Sequence, residues 1–195
     1  MFASSGGRET IVLNMQMERD GRNDFDFFIG IWNVHHRRLR ERLKGSNSWE
    51  EFDSISVARK VLNGMGNFDE IVMERESGQV IAGVTLRLYN PVSHEWSLYW
   101  ADNVTGTLQV PMIGKFDRQN GRGEFFSQEV FEGKHIYSRF IWSAITSSSC
   151  RWEQAFSADG GKSWETNWIM EFTRRGKAGE TVSSQAASVL KLVIA

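Results

Sequence analysis

The sequence predicts an all-β domain, an antiparallel up-and-down meander of about ten strands closed into a barrel. Extended runs rich in aromatic and β-branched residues alternate with short turn signals along most of the chain. No connection between the later runs is long enough for a crossover helix, so neighbouring strands should be antiparallel. Such a meander would leave two open edges unless the sheet closed, and a barrel removes both edges.

The chain divides into an arm, a barrel domain and a tail. Residues 1–23 are polar or irregular, and we interpret them as an N-terminal arm. The barrel domain spans residues 24–175 and begins with Phe-rich sequence that leads into a long first strand at Gly30-Ile31-Trp32. Further extended runs follow at 84–89, 95–100, 124–130, 136–144 and 151–156.

Turn signals separate these runs. Asn120-Gly121 is the strongest, because type I′ hairpin turns need positive φ at both central residues and favour Asn-Gly. The other signals lie at 44–47, 77–78, 90–91, 132–134 and 159–161.

Residues 176–195 form a Gly- and Lys-containing linker followed by the apolar stretch 188–195. Three placements of this tail are open: it pairs with a sheet edge, joins a partner subunit in a homodimer, or is disordered.

Length and composition are those expected of one soluble domain. A chain of 195 residues can bury one full core but is short for two. Lys and Arg number 23 and Asp and Glu 24, a net charge of −1 that argues against nucleic-acid binding and a polybasic membrane anchor. The first residues lack the order of a signal peptide, and no apolar run approaches the roughly 18 residues that span a bilayer, so we expect a cytoplasmic protein.

The sharpest local motif is Ser157-Ala158-Asp159-Gly160-Gly161-Lys162-Ser163-Trp164. It matches the Asp-box pattern Ser-x-Asp-x-Gly-x-Ser-Trp. In such a hairpin tip the Asp carboxylate accepts hydrogen bonds from its own turn, a Gly supplies positive φ, and the Trp packs beneath. Sialidase propellers carry several such boxes, but this chain has one and is too short for a propeller. We therefore predict a structural role for Asp159.

Gly30-x-Trp32, the meander, the stretch 151–156 and the Asp-box followed by Glu165-Thr166-Asn167-Trp168 occur together in one chain. In this combination the span from about residue 24 to 175 resembles a bacterial family of uncharacterised calycin-like domains. The resemblance implies a lipocalin-like barrel around a cavity. It implies no reaction and no catalytic residues.

Candidate ligand contacts come from strand phase, because alternate side chains point to opposite faces of a strand. Eight Trp and 13 Phe provide rings for a core or a cavity wall. The apolar phases contain a few polar residues, and binding pockets combine apolar walls with such groups. The predicted wall comprises Trp96, Trp100, Trp142, Trp152 and Trp168, and the predicted polar contacts are His36, Ser138 and Gln154.

A rival set of residues lies in the opposite phase of the same strands. If the interior were polar, Arg87, Tyr99, Arg139 and Glu153 would face inward, and an Arg could bind a carboxylate. Sequence alone does not choose between the two phases.

Histidines and the single cysteine indicate no metal site. His35 and His36 are adjacent and point to opposite faces of a strand, while His94 and His135 fall near turns. Cys150 is the only cysteine, so no intramolecular disulfide or multi-thiolate site can form. No cofactor is expected, although one imidazole in the cavity could ligate haem iron.

Three functions are compatible with these features. The first is binding of a small, largely apolar molecule in the aromatic cavity. The second is a cofactor-independent enzyme that uses the same cavity with His36 or Glu153 as the proton-transfer group. The third is a structural or assembly protein whose barrel is filled.

Overall fold

The computed structural model describes residues 20–176 and shows an all-β barrel. Ten antiparallel strands follow one another along the chain, and the last pairs with the first, so the sheet closes. This confirms the predicted meander and its closure. The strands are β1 (Gly30–Leu39), β2 (Trp49–Val61), β3 (Gly66–Glu74), β4 (Val80–Asn90), β5 (Glu95–Asp102), β6 (Met112–Asp117), β7 (Arg122–Phe131), β8 (Lys134–Ser143), β9 (Ser149–Ser157) and β10 (Glu165–Arg174).

The strands alternate between an interior and an exterior face. In β5, Trp96 and Leu98 are buried, and Tyr99 between Leu98 and Trp100 points away from the interior. The two short 3₁₀-helices of the described residues are Asp26–Phe28 and Leu62–Gly64. No helix among residues 20–176 is long and apolar enough to cross a membrane.

The tightest hairpin differs from the one that the sequence favoured. Asn120 does not have positive φ, and the loop that joins β6 to β7 has four residues, between Asp117 and Arg122. The two-residue turn with positive φ at both positions is Glu132-Gly133, with φ values of 49° and 78°. Glu132, a non-Gly residue, therefore adopts the left-handed conformation, because the register of β7 and β8 leaves only two residues for the turn.

An aromatic plug, which we define as residues 25–28, closes the barrel at the N-terminal end of β1. The rings of Phe25 and Phe28 are both about 1% exposed. Phe25 meets Trp96 edge to face at 5.0 Å between ring centroids, and Phe28 lies 4.9 Å from Trp142. These rings fill one end of the interior and leave the other end for a cavity.

Beside this plug, Arg174 at the end of the last strand contacts the beginning of the first strand. The Arg174 guanidinium lies 4.1 Å from the centre of the Trp32 ring and donates a 2.8 Å hydrogen bond to the Ile29 carbonyl. The Trp32 indole N–H donates to the Phe28 carbonyl at 2.7 Å. Gly30 has a φ of 137°, and a Cβ there would lie 2.4 Å from the Arg174 guanidinium. The positive φ favours glycine at this position, and a larger residue would also displace the end of the Arg174 side chain.

The Asp-box sequence forms the hairpin between β9 and β10. Asp159 accepts hydrogen bonds from the Ser157 hydroxyl at 2.7 Å, the Ser163 N–H at 2.9 Å and the Ser163 hydroxyl at 2.6 Å. The Trp164 indole donates to the Gly161 carbonyl at 3.1 Å. These bonds hold the pKa of Asp159 well below its usual range, the Ser163 hydroxyl having the largest effect.

Two predicted segments lie outside or at the border of the described residues. The predicted arm, residues 1–23, is described only from residue 20, and there Gly21 donates to the Tyr89 hydroxyl at 2.8 Å. Apart from its first residue, the predicted linker and tail at 176–195 lies outside the described residues. The three placements of the tail stay predictions.

Candidate functional site

The barrel encloses a cavity of about 460 Å³ between the aromatic plug and the opposite end, where it opens. Aromatic rings dominate the wall, and thioether and aliphatic side chains fill the spaces between them. Ten rings border the cavity: Phe28, Phe52, Phe131, Phe140, Phe156, Phe172, Trp100, Trp142, Trp152 and Trp168.

A buried ion pair forms part of the cavity floor. Arg87 Nη1 lies 2.6 Å from Asp69 Oδ1, and the side chains of the two residues are 4% and 6% exposed. The Arg87 guanidinium also donates to the Asn67 amide oxygen at 3.1 Å and lies 4.8 Å from the centre of the Phe28 ring. The Ser56 hydroxyl donates to Asp69 at 3.0 Å. Asp69 and Arg87 therefore pair with each other, while the buried Nε of Arg87 has no hydrogen-bond partner within the described residues.

A second ionic group lies at the open end, which we call the mouth. Glu50 is buried, and its carboxylate accepts hydrogen bonds from Arg75 and, at 3.3 Å, from Arg38. Both arginines border the cavity, and Arg38 also lies over the Trp168 ring at 5.1 Å. Burial and then the charge of Arg75 lower the pKa of Arg38. One carboxylate is thus shared by two guanidinium groups.

Five of the eight predicted contact residues border the cavity: Trp100, Trp142, Trp152, Gln154 and Trp168. The Trp100 indole packs against Gly83 of the neighbouring strand, where a Cβ would come within 2.1 Å of the ring. Its indole N–H donates to Asp102 at 2.8 Å. Within residues 20–176 no protein group hydrogen-bonds the Gln154 amide, which leaves this amide available to a ligand.

His36 does not border the cavity, although it lies in the inward phase of β1. Phe52 stacks on the imidazole at 4.5 Å between centroids, and Phe52 and Trp168 form the wall in front of it. Nδ1 accepts the Trp168 indole N–H at 3.2 Å, so Nε2 carries the proton that is donated to the Ser54 hydroxyl at 2.7 Å. Burial lowers the pKa of His36 to about 3. A fully enclosed, neutral imidazole cannot serve as the proton-transfer group of a reaction in this cavity.

Trp96 and Ser138 are also absent from the wall. Trp96 packs against Phe25 at the plugged end, and its indole donates to the Gly21 carbonyl at 3.1 Å. Ser138 is completely buried, and its hydroxyl donates to the carboxylate of Glu129, which itself borders the cavity. Ser138 therefore does not contact the cavity itself but holds the carboxylate of Glu129, which does.

The rival residues divide between the two faces. Arg87 on β4 points inward and lies beside the aromatic plug. Its relative exposure is 3%. Arg139 lies outside, with its guanidinium 4.5 Å from the Trp164 ring, and Glu153 pairs with Arg151 at 3.2 Å. Tyr99 and Glu153 both sit between residues that border the cavity, so they point outward. Glu153 is therefore not placed to transfer a proton to a molecule in the cavity.

The cavity contains ionic residues that the sequence did not identify as site residues, among them Arg42, Arg75 and Glu129. Arg38 could have been found, since it shares the inward phase of β1 with Trp32. Arg42 follows β1 in a loop, where no alternation predicts the direction of a side chain.

None of the four histidines borders the cavity, so it offers no imidazole to haem iron. Among residues 20–176, no three His, Cys, Asp or Glu side chains are grouped to hold a metal ion. Cys150 is buried, and burial raises the pKa of its thiol to about 12, which makes it unreactive as a nucleophile.

No family model and no curated protein matches the chain. Among solved structures, it is similar to the S-type phycobiliprotein lyase CPES from Guillardia theta, with a TM-score of 0.53 and 11% identity over 82% of this chain and 95% of that one. It is also similar to EF1p2_mFAP2b, solved bound to DFHBI, with a TM-score of 0.43 and 7% identity over 80% of this chain and 99% of that one. At such identities the likeness to the lyase concerns the fold alone. The fold is a lipocalin-like barrel, and membership in the bacterial family of calycin-like domains stays a prediction.

Proposed function

We propose that the protein binds a small, largely apolar molecule inside the barrel. The observation that supports this most directly is the cavity of about 460 Å³ with ten aromatic rings in its wall. Small-molecule sites typically occupy about 300–1,000 Å³ and combine apolar walls with a few polar groups. The Gln154 amide is such a group. The alternative of a filled barrel is disfavoured by a cavity of this volume.

N-phenyl-1-naphthylamine, a neutral apolar fluorophore, tests the proposal. We expect a saturable fluorescence increase with one probe bound per chain. Tryptophan emission should fall in parallel through energy transfer, because Trp100, Trp142 and Trp152 border the cavity. Absence of saturable binding by the folded protein would contradict the proposal and favour a structural role.

A matched pair of variants assigns the probe to the cavity. Thr85 borders the cavity, so Thr85→Phe should place a ring in the volume that the probe needs and lower the affinity sharply. Thr173 is exposed on β10, so Thr173→Phe makes the same change outside the barrel and should leave the affinity unchanged. Equal affinities of the two variants would show that the probe binds elsewhere.

A further inference from the structure

Arg42 is the arginine of the cavity wall that lacks an acidic partner. Arg38 and Arg75 pair with Glu50, and Arg87 pairs with Asp69. Within residues 20–176 no carboxylate lies within 4.0 Å of the Arg42 guanidinium, and no protein group accepts a hydrogen bond from it. It is held instead against aromatic rings, 5.5 Å from the centre of Phe156 and 6.0 Å from that of Trp168.

Among the charged groups that act on Arg42, guanidiniums outnumber carboxylates once Arg42 itself is counted. Its charged neighbours are Arg38, Arg75, Glu50 and Glu129, so the group has three guanidiniums and two carboxylates. Burial, followed by the charges of Arg38 and Arg75, lowers the pKa of Arg42 to about 9. The side chain is thus charged at neutral pH in surroundings that disfavour its charge.

Other donors at the mouth are also unsatisfied. The Nε groups of Arg38 and Arg75 are buried and have no hydrogen-bond partner within the described part of the chain. A buried donor without an acceptor is costly, and a guanidinium without a counter-ion more so. An anion at the mouth would offset both costs.

We propose that the cavity takes a monoanionic organic acid, with its anionic group bound by Arg42 at the mouth and its apolar body against the aromatic wall. This inference rests on the proposed function and specifies its ligand class. A guanidinium binds a planar or tetrahedral anion through two parallel hydrogen bonds. Glu129 and Asp102 also border the cavity, and their charges disfavour a second anionic group on the ligand.

Asp102 and Glu129, two acidic residues of the wall, accept hydrogen bonds from groups other than Arg42. The Asp102 carboxylate accepts the Trp100 indole N–H at 2.8 Å and the Thr105 N–H at 2.8 Å. Glu129 accepts the Ser138 hydroxyl. Within the described residues neither carboxylate accepts a hydrogen bond from Arg42, so its N–H groups stay available to a ligand, although the charge of Glu129 raises the pKa of Arg42.

Two fluorophores that differ in one charged group test the inference. The compound 8-anilinonaphthalene-1-sulfonate is N-phenyl-1-naphthylamine with an added sulfonate. We expect the wild-type protein to bind the sulfonate about tenfold or more tightly than the neutral probe, as a charge-assisted hydrogen bond implies. Displacement of the neutral probe by dodecanoate but poorly by 1-dodecanol should show the same preference for a carboxylate.

Variants at two neighbouring arginines locate the anion. Arg42→Met keeps an apolar stem against the rings and should weaken sulfonate binding about tenfold while leaving the neutral probe unaffected. Arg40→Met removes the same charge from a side chain that pairs with Glu76 and does not border the cavity. It should leave both affinities unchanged.

The outcomes separate this inference from the proposed function. Binding of the neutral probe with no preference for the anion overturns the anionic ligand class and leaves the cavity function intact. Equal loss of sulfonate binding in both arginine variants shows a general effect of charge and also overturns the assignment to Arg42. If neither probe binds the wild-type protein, both proposals fail. If Arg42→Met does not fold, the affinities of the wild-type protein for the sulfonate and the neutral probe still test the anionic ligand class.

Discussion

His36 shows how the interior converts a titratable residue into a structural one. Its side chain has no solvent exposure, and both ring nitrogens are hydrogen-bonded, to Trp168 and Ser54. Protonation would bring a charge into this enclosed position, and burial accordingly lowers the pKa of His36 to about 3. His36 is thus expected to remain neutral in the folded protein at every pH above that value.

This pKa predicts acid sensitivity. The unfolded chain takes up a proton on His36 below pH 6.5, whereas the folded protein does so near pH 3. The contribution to stability is therefore complete above pH 6.5 and is lost as the pH falls towards 3. We expect the titration of His36 to lower the free energy of unfolding by about 2 kcal/mol when the pH falls from 7 to 5. Urea unfolding of the wild type and of His36→Gln at several pH values measures the difference in slope.

The control for this measurement is a histidine on the surface. His135 is exposed on β8, and His135→Gln should leave the pH dependence of wild-type stability in place. A His36→Gln protein with the same pH slope as the wild type would show that another group causes the acid sensitivity.

At the scale of single residues, strand phase predicted the aromatic wall better than the polar contacts. Trp152 and Trp168 border the cavity as the alternation of β9 and β10 implies, whereas of the three predicted polar contacts Gln154 alone borders it. His36 has the correct phase but lies behind Phe52, and that arrangement depends on the register of β1 with β2. Register is a property of strand pairing, so one strand read alone cannot show which inward side chain covers another.

At the scale of elements, the aromatic plug decides which end of the barrel can admit a ligand. Phe25 and Phe28 precede the first strand, where the sequence shows only a Phe-rich approach. In the structure they enter the barrel and meet rings from β5 and β8. The cavity therefore opens at the other end, where Arg38 and Arg75 lie.

The Asp-box hairpin allows a test of a single turn. Asp159→Asn keeps one acceptor oxygen and should lower the melting temperature less than Asp159→Ala, which removes every acceptor. Gly161 has a φ of 85°, and Gly161→Val should cost about 1–3 kcal/mol because β-branched residues resist this conformation. Thermal unfolding followed by circular dichroism ranks the three variants.

The hairpin lies outside the cavity wall, so none of these changes should alter affinity for N-phenyl-1-naphthylamine once the variant is folded. Trp164 packs instead on the outer face, 6.2 Å from the Phe126 ring. An Asp159→Asn protein of normal stability that no longer bound the probe would make the hairpin part of the site.

At the scale of the whole molecule, the site is assembled from distant parts of the sequence. The rings around Arg42 come from Phe131, Phe156 and Trp168, which lie on β7, β9 and β10. Extended runs and turns were enough to predict the barrel, because each depends on local sequence. The ionic group at the mouth was not predictable in this way. Arg42 lies in the loop after β1, and only closure of the barrel brings the rings of β7, β9 and β10 next to it.

Closure also predicts that residues 20–176 are sufficient for folding. Every strand has two strand neighbours, and the aromatic plug belongs to the same segment. A protein of residues 20–176 should therefore match the full chain in urea midpoint, oligomeric state and binding of N-phenyl-1-naphthylamine. A second truncation that begins at residue 30 loses Phe25 and Phe28, and deletion of buried Phe rings costs about 3–5 kcal/mol each.

The two truncations together separate the barrel from the terminal segments. If the 20–176 protein is as stable as the full chain and the 30–176 protein is not, the plug is the N-terminal limit of the fold. A lower urea midpoint for the 20–176 protein would show that residues 1–19 or 177–195 contribute to stability. A dimer that dissociates on removal of 177–195 would assign the apolar stretch 188–195 to a subunit interface, which light scattering of the full and truncated chains can detect.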